Sequence, residues 1–201
     1  MPEQLTTIAP DALPATWQNP AEVTPDGKTL LFQQHVGGKG LRIWALPLTG
    51  ERRARQVSPD STEEWGPALS PNGRWLAFLT GRGIVVSDYP ARKRQFLVAR
   101  KSLTWPRWSS DGRELFYGAV DHGAGVIWSI PVNTGADFSF GSPTILFRTQ
   151  LKMGTFTSPD FEVSRDGQRF LIVKQARVGA ALTQIAVVTN WTSVLTRPTA
   201  R

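Results

Sequence analysis

The residues best suited to chemistry in this sequence are few, and their spacing restricts what they could do. Two histidines, His35 and His122, stand beside the glycine-containing stretches GGKG and GAG. Imidazole is both a common metal ligand and a general base near neutrality, yet a zinc centre demands three or four ligands at close quarters. The 201 residues contain no third histidine and no cysteine. Thiolate zinc, disulfides and a cysteine nucleophile are therefore excluded, and the histidines read as exposed loop residues. Asp26, Asn72, Asp111 and Asp166 recur in matching contexts and invite comparison with calcium ligands. One carboxylate or amide per turn, on separate elements, cannot gather the six to eight oxygens that Ca²⁺ takes. No GxSxG nucleophile elbow is present, and GGKG and GAG miss the phosphate-loop and dinucleotide patterns. No catalytic residue, metal or cofactor is expected, and the chain reads as a non-enzyme.

What survives is charge. Lysine and arginine number 23 against 16 acidic residues, a formal net charge of +7. Two clusters stand out, Arg52, Arg53 and Arg55, then Arg92, Lys93 and Arg94. They form a candidate binding face for an acidic protein or phosphate-rich partner, since arginine suits bidentate carboxylate and phosphate contacts. As surface charges they should contribute little to stability. A solvated rim with no partner is the plainer reading of any such run.

The elements that would position these residues are written four times over. Thr24-Pro25-Asp26-Gly27, Ser70-Pro71-Asn72-Gly73, Ser109-Ser110-Asp111-Gly112 and Ser164-Arg165-Asp166-Gly167 share one form. A hydroxyl at the first place bonds the turn, Asp or Asn tolerates the third, and glycine takes positive φ at the fourth. Each turn opens into a short apolar run such as RWLAF or RELFY, so each predicts a β-hairpin. A second apolar strand follows every hairpin: 42–48, 83–89, 126–132 and 183–190. A weaker third follows in three units, over 54–58, 94–99 and 143–147. Four strands per unit at a spacing of about 40 to 50 residues predicts an all-β propeller of four legible blades, four-bladed or part of a larger ring. The blades are expected at 14–58, 62–99, 103–148 and 158–191, with 1–10 as an edge or closing strand. His35 and His122 then fall between the second and third strands of their blades. Trp44, Trp75 and Trp128 fall within strands, and Trp65 and Trp105 fall near a rim, where blade packing is still the better reading than contact with a partner.

The Ser-Pro-Asp-Gly hairpins resemble TolB-like, WD-type β-propeller repeats. The tail ALTQIAVVTNW, with PRWSSDGRELFY and IWSIPV, is most similar to the C-terminal propellers of bacterial transmembrane serine/threonine kinases. The kinase glycine loop, His-Arg-Asp and Asp-Phe-Gly motifs are missing, so the resemblance implies a non-catalytic binding or scaffold module, the sensor or interaction end of a bacterial signalling protein, rather than a kinase activity. An accessory propeller of a kinase or hydrolase whose catalytic domain lies elsewhere is the alternative. Binding of nucleic acid or another polyanion through the basic face is the third. A protein or peptide partner is expected ahead of nucleic acid, and a homo-oligomer is left open. The sequence has no membrane-spanning run and no signal peptide at MPEQLTTIAP. It reads as cytoplasmic as written, and as extracytoplasmic within a membrane-anchored parent.

Overall fold

Hairpins need a partner sheet, and the chain provides four. The computed structural model describes residues 17–100, 104–122, 124–149, 160–172 and 186–189. Among these residues every regular element is a β-strand. The first blade comprises β1 (Trp17–Val23), β2 (Thr29–Val36), β3 (Gly40–Pro47) and β4 (Arg55–Gln56), hydrogen-bonded in that order. The second comprises β5 (Trp65–Leu69), β6 (Trp75–Thr80), β7 (Gly83–Asp88) and β8 (Gln95–Ala99). The third contains β9 (Arg107–Trp108), β10 (Glu114–Asp121), β11 (Ala124–Asn133), β12 (Ser139–Phe140) and β13 (Thr144–Thr149). The fourth has β14 (Phe161–Val163), β15 (Arg169–Ile172) and β16 (Ala186–Thr189). All pairings are antiparallel between chain neighbours, apart from β13, which returns to β11. The outer position of the third blade is thus divided, with β12 against Val132–Asn133 and β13 against Gly125–Ser129. Gly141-Ser142-Pro143 interrupts the ladder between them, because proline cannot donate to it. The proposed closing strand at 1–10 and the tail beyond Thr189 lie outside the described residues.

The four turns are closed by one repeated hydrogen-bond pattern. In the second, Ser70 Oγ donates to Asn72 Oδ1 at 2.7 Å and accepts the Trp75 amide at 2.9 Å. The Arg74 amide also donates to Asn72 Oδ1, at 3.1 Å, and Gly73 N–H bonds the Ser70 carbonyl at 2.7 Å. Thr24/Asp26, Ser109/Asp111 and Ser164/Asp166 repeat it. The glycines sit at φ 72, 71, 69 and 69°, where a Cβ would be strained. The side-chain oxygen of the third residue is consumed inside the turn. Asn72 breaks the Asp pattern for a reason of its own, because its Nδ2 donates to the Thr134 carbonyl of the next blade at 2.7 Å. Ser110 Oγ similarly donates to the Arg165 carbonyl, joining the third hairpin to the fourth at 2.5 Å.

Blades adhere through apolar faces. Leu31, Ile43 and Ala45 of the first meet Leu69, Leu76, Phe78 and Val85 of the second. Trp75, Ile84 and Val86 of the second meet Leu115, Tyr117 and Ile130 of the third, with Trp105 and Phe138 filling the seam. Phe116, Ile127 and Leu146 pack on Phe161, Phe170 and Ile172 of the fourth. Trp44, Trp75 and Trp128 are strand residues as expected, Trp65 opens β5, and Trp105 is 2% exposed. Trp105 is therefore a packing residue and not a rim contact. His122 occupies the β10–β11 turn, 92% exposed and 3.6 Å from Asp121. His35 differs from expectation. It lies within β2 and stacks on Trp17, ring centroids 5.4 Å apart, because the strand runs through to Val36 before turning.

The turn carboxylates impose a pH signature. The Ser or Thr hydroxyl first, aided by the following backbone amide, holds Asp26, Asp111 and Asp166 below the ordinary value of 3.8. A lowered folded pKa contributes stability above the unfolded value and loses it as pH falls through the folded one. Burial does the opposite to Glu22 and Glu114, lifting both above 4.5. Their contribution is present below the unfolded value and lost as pH rises through the folded one. The melting temperature should therefore be highest at about pH 4 to 5 and fall on the acid side. The combined Asp26→Asn, Asp111→Asn and Asp166→Asn variant should blunt that acid limb, read by thermal melts from pH 2.5 to 7. An unchanged acid limb in the triple variant would remove the assignment.

Candidate binding site: an axial cleft

The first strand of each blade runs directly into its hairpin, and the first strands of successive blades meet. β1 packs on β5, and β5 on β9. Between them opens a cleft of about 430 Å³, lined by Ala21 and Glu22 of the first blade, Ala68 and Leu69 of the second, Arg107 and Trp108 of the third and Glu162 of the fourth. Pro25, Pro71, Ser109 and Ser110 of three hairpins form its margin. Its size is that of an ordinary ligand pocket. Glu22, Ala68, Arg107 and Glu162 each stand two residues before the Ser or Thr that opens a hairpin. One column of the four-fold repeat thus supplies one lining residue per blade. That column was present in the sequence, and aligning the repeats would have found it.

Two local distortions direct the first pair. β1 carries a bulge between Pro20 and Glu22, and β5 one between Trp65 and Ala68; such insertions bend a strand and re-aim its side chains. Glu22 consequently reaches across to the second blade, where its Oε2 accepts the Leu69 amide at 2.7 Å. Arg107 instead turns to the fourth blade. Its Nε and Nη2 both donate to Glu162 Oε1, at 2.9 and 2.6 Å, and its Nη1 bonds the Pro106 carbonyl at 3.0 Å. Trp108 fixes its indole through Nε1 to the Ala68 carbonyl at 2.9 Å. Burial raises the pKa of Glu22, opposed by the Leu69 amide and by the Arg107 charge, while Glu162 pushes it further up. The arrangement can hold a ligand by charge and apolar contact together.

The basic clusters fare differently. Arg52, Arg53, Arg55 and Lys93 lie exposed near the hairpin end of their blades. Arg92 does not. With φ at 56°, its side chain turns inward over the Phe78 ring, 4.3 Å from the centroid. There its Nη2 bonds both oxygens of Glu64 at 2.7 and 2.8 Å. The side chains are only 10% and 3% exposed. Arg94 lies over Trp75 at 4.9 Å and pairs with Asp137 of the third blade at 3.2 Å. The expectation that Arg92 joins a solvated face is corrected: an apolar shelf at Phe78 and a buried carboxylate at Glu64 draw it into the seam. Among the described residues no group of three or more His, Asp or Glu could hold a metal, and no helix is long and apolar enough to cross a membrane.

Comparison with known proteins places this geometry in a fold. No family model matches the chain. The chain is similar in structure to TolB from Agrobacterium tumefaciens, with a TM-score of 0.57 and 19% identity, over 81% of this chain and 57% of that one. It is similar also to a chain in a nidogen/laminin complex, with a TM-score of 0.58 and 15% identity, over 80% and 58%. These likenesses establish a β-propeller fold. In sequence, dipeptidyl-peptidase 5 of Trichophyton equinum is 25% identical over 142 residues, covering 56% of this chain and 19% of that protein. The counterpart from Trichophyton schoenleinii is 26% identical over the same length. The match thus spans about a fifth of these curated relatives.

Proposed function

We propose that this β-propeller is a binding module that presents its axial cleft to a protein or peptide partner, and that its 201 residues form one propeller domain. The observation carrying the reading is the convergence of one repeat position from each of four blades on one cleft. A scaffold fold can host many functions, so the site and not the architecture has to name the role. The experiment is selection of random peptides on the folded chain, followed by binding to a Ser110→Trp variant. Ser110 is exposed and lines the cleft, so the indole should obstruct entry while giving up only the single surface bond from Ser110 to the Arg165 carbonyl. Selected peptides should lose at least ten-fold in affinity, with the melting temperature changed by only a few degrees. Equal binding to parent and variant would refute the axial site.

A second reading is favoured by the dipeptidyl-peptidase 5 likeness: an accessory propeller that supports or gates a hydrolase domain in a longer chain. The two readings share the cleft and differ in what stands beside it. The sensor role in a bacterial signalling protein rests on the resemblance of ALTQIAVVTNW, PRWSSDGRELFY and IWSIPV to the kinase-type propellers, and of that tail only Ala186–Thr189 is among the described residues. Polyanion binding by the basic face is weakened by the internal pairing of Arg92 and the Asp137 contact of Arg94.

A further inference from the structure

The axial cleft carries a local charge opposite to that of the molecule around it. Arg107 is the cation lining it, and each of its three nitrogens is already bonded, two to Glu162 and one to the Pro106 carbonyl. Glu22 receives only the neutral Leu69 amide, so its charge has no directly bonded counter-ion. Summed over Glu22, Arg107 and Glu162, the cleft holds one excess negative charge in a chain of net charge +7. A half-buried carboxylate without a bonded cation is electrostatically costly, and an incoming cation would relieve that cost. The walls add a second requirement. Pro25, Pro71, Ala68 and Leu69 are apolar, and Trp108 offers an aromatic surface. A small inorganic cation would gain nothing from such walls. Lysine and arginine combine an apolar stem with a charged head, and bury the former while the latter finds its partner. An aromatic ring beside the head adds cation–π attraction.

We propose that the cleft takes one lysine or arginine side chain of a protein partner, its head between Glu22 and Glu162 and its stem along Trp108 and the flanking prolines. This rests on the cleft being the binding site proposed above. The cleft's mouth beside three hairpins suits a side chain projecting from a peptide that lies across the blades, which is how pockets in a binding surface read a single anchor residue.

The test uses the full chain labelled with ¹⁵N, with the Trp108 indole N–H as reporter. Acetylated and amidated peptides of one glycine–alanine scaffold carry lysine, arginine or norleucine at the centre, alongside Nα-acetyl-lysine amide. The lysine and arginine peptides should shift the Trp108 signal and bind at least ten-fold tighter than the norleucine peptide. Glu22→Gln keeps an acceptor for the Leu69 amide and should remove that preference while melting like the parent. If norleucine binds as tightly as lysine, and both are blocked by Ser110→Trp, the cleft stands and this inference falls. If no peptide moves Trp108, the axial reading falls with it. Binding of Nα-acetyl-lysine amide as tight as the peptide would make the site one for a small amine, and would overturn the protein partner. Should Glu22→Gln unfold, Glu162→Gln serves instead, since that side chain is 53% exposed; a retained lysine preference there would count against the proposal.

Discussion

Replacing Arg92 with methionine should lower the stability of the chain by about 3 to 5 kcal/mol, the usual cost of leaving one half of a buried ion pair without its partner. Glu64 is 2% exposed, and its backbone amide also tethers the inter-blade linker to the Leu41 carbonyl at 3.1 Å. Without the guanidinium its carboxylate, on a side chain 3% exposed, would be left buried with no cation bonded to it. The melting temperature should drop by about 10 °C or more, given the few degrees per kcal/mol typical of chains this long. A double variant, Arg92→Met with Glu64→Leu, should recover most of the loss, because a well-packed apolar pair often equals a buried ionic one. Lys93→Glu, next along and exposed, should be nearly silent. Thermal melts of the three variants decide the matter: an Arg92→Met protein as stable as Lys93→Glu would show the pair to be superficial.

Gly83→Ala should cost about 3 kcal/mol or more, because backbone strain and overpacking act together there. Gly83 follows the Gly81-Arg82 turn between β6 and β7 with φ at 124°, a region closed to residues with a Cβ. An added methyl would also lie 2.0 Å from the Ala99 carbonyl oxygen of β8, and backbone cannot swing aside as a side chain can. Gly27→Ala serves as control. It has positive φ but nothing within 4 Å of the new atom, so only strain of about 1 kcal/mol applies. Denaturant titration of both should separate crowding from conformation, and equal losses would show that the close approach carries no cost.

The hairpins were legible because each is a local device: four consecutive residues contain the hydroxyl, the carboxylate or amide and the glycine that close the turn. Blade spacing was legible by the same means, and the propeller fold followed from it. The fate of Arg92 was not, since its direction depends on Phe78, fourteen residues earlier in the chain, and on Glu64 in a linker between blades. Nor was the split outer edge of the third blade, where Gly141 and Pro143 separate the unforeseen β12 from the strand read over 143–147. The axial cleft lay between these cases. Glu22, Arg107 and Glu162 look like isolated charges along the sequence, and only the shared distance to the hairpin Ser or Thr reveals that they face a common space. A motif search rewards identity, whereas this column varies in residue type while keeping its place.

The ties between successive hairpins bear on how the chain would come apart. Asn72 holds Thr134, and Ser110 holds Arg165, each a clasp from one blade to the next, and the apolar seams follow the same order. Among the described residues cohesion is therefore a chain of nearest-neighbour links, as in a linear array of repeats. Under mechanical load or slow proteolysis, such a molecule peels from an end instead of bursting at the middle. The third blade, clasped on both flanks, should exchange its backbone amides last, and the outer sheets should give way while it still stands.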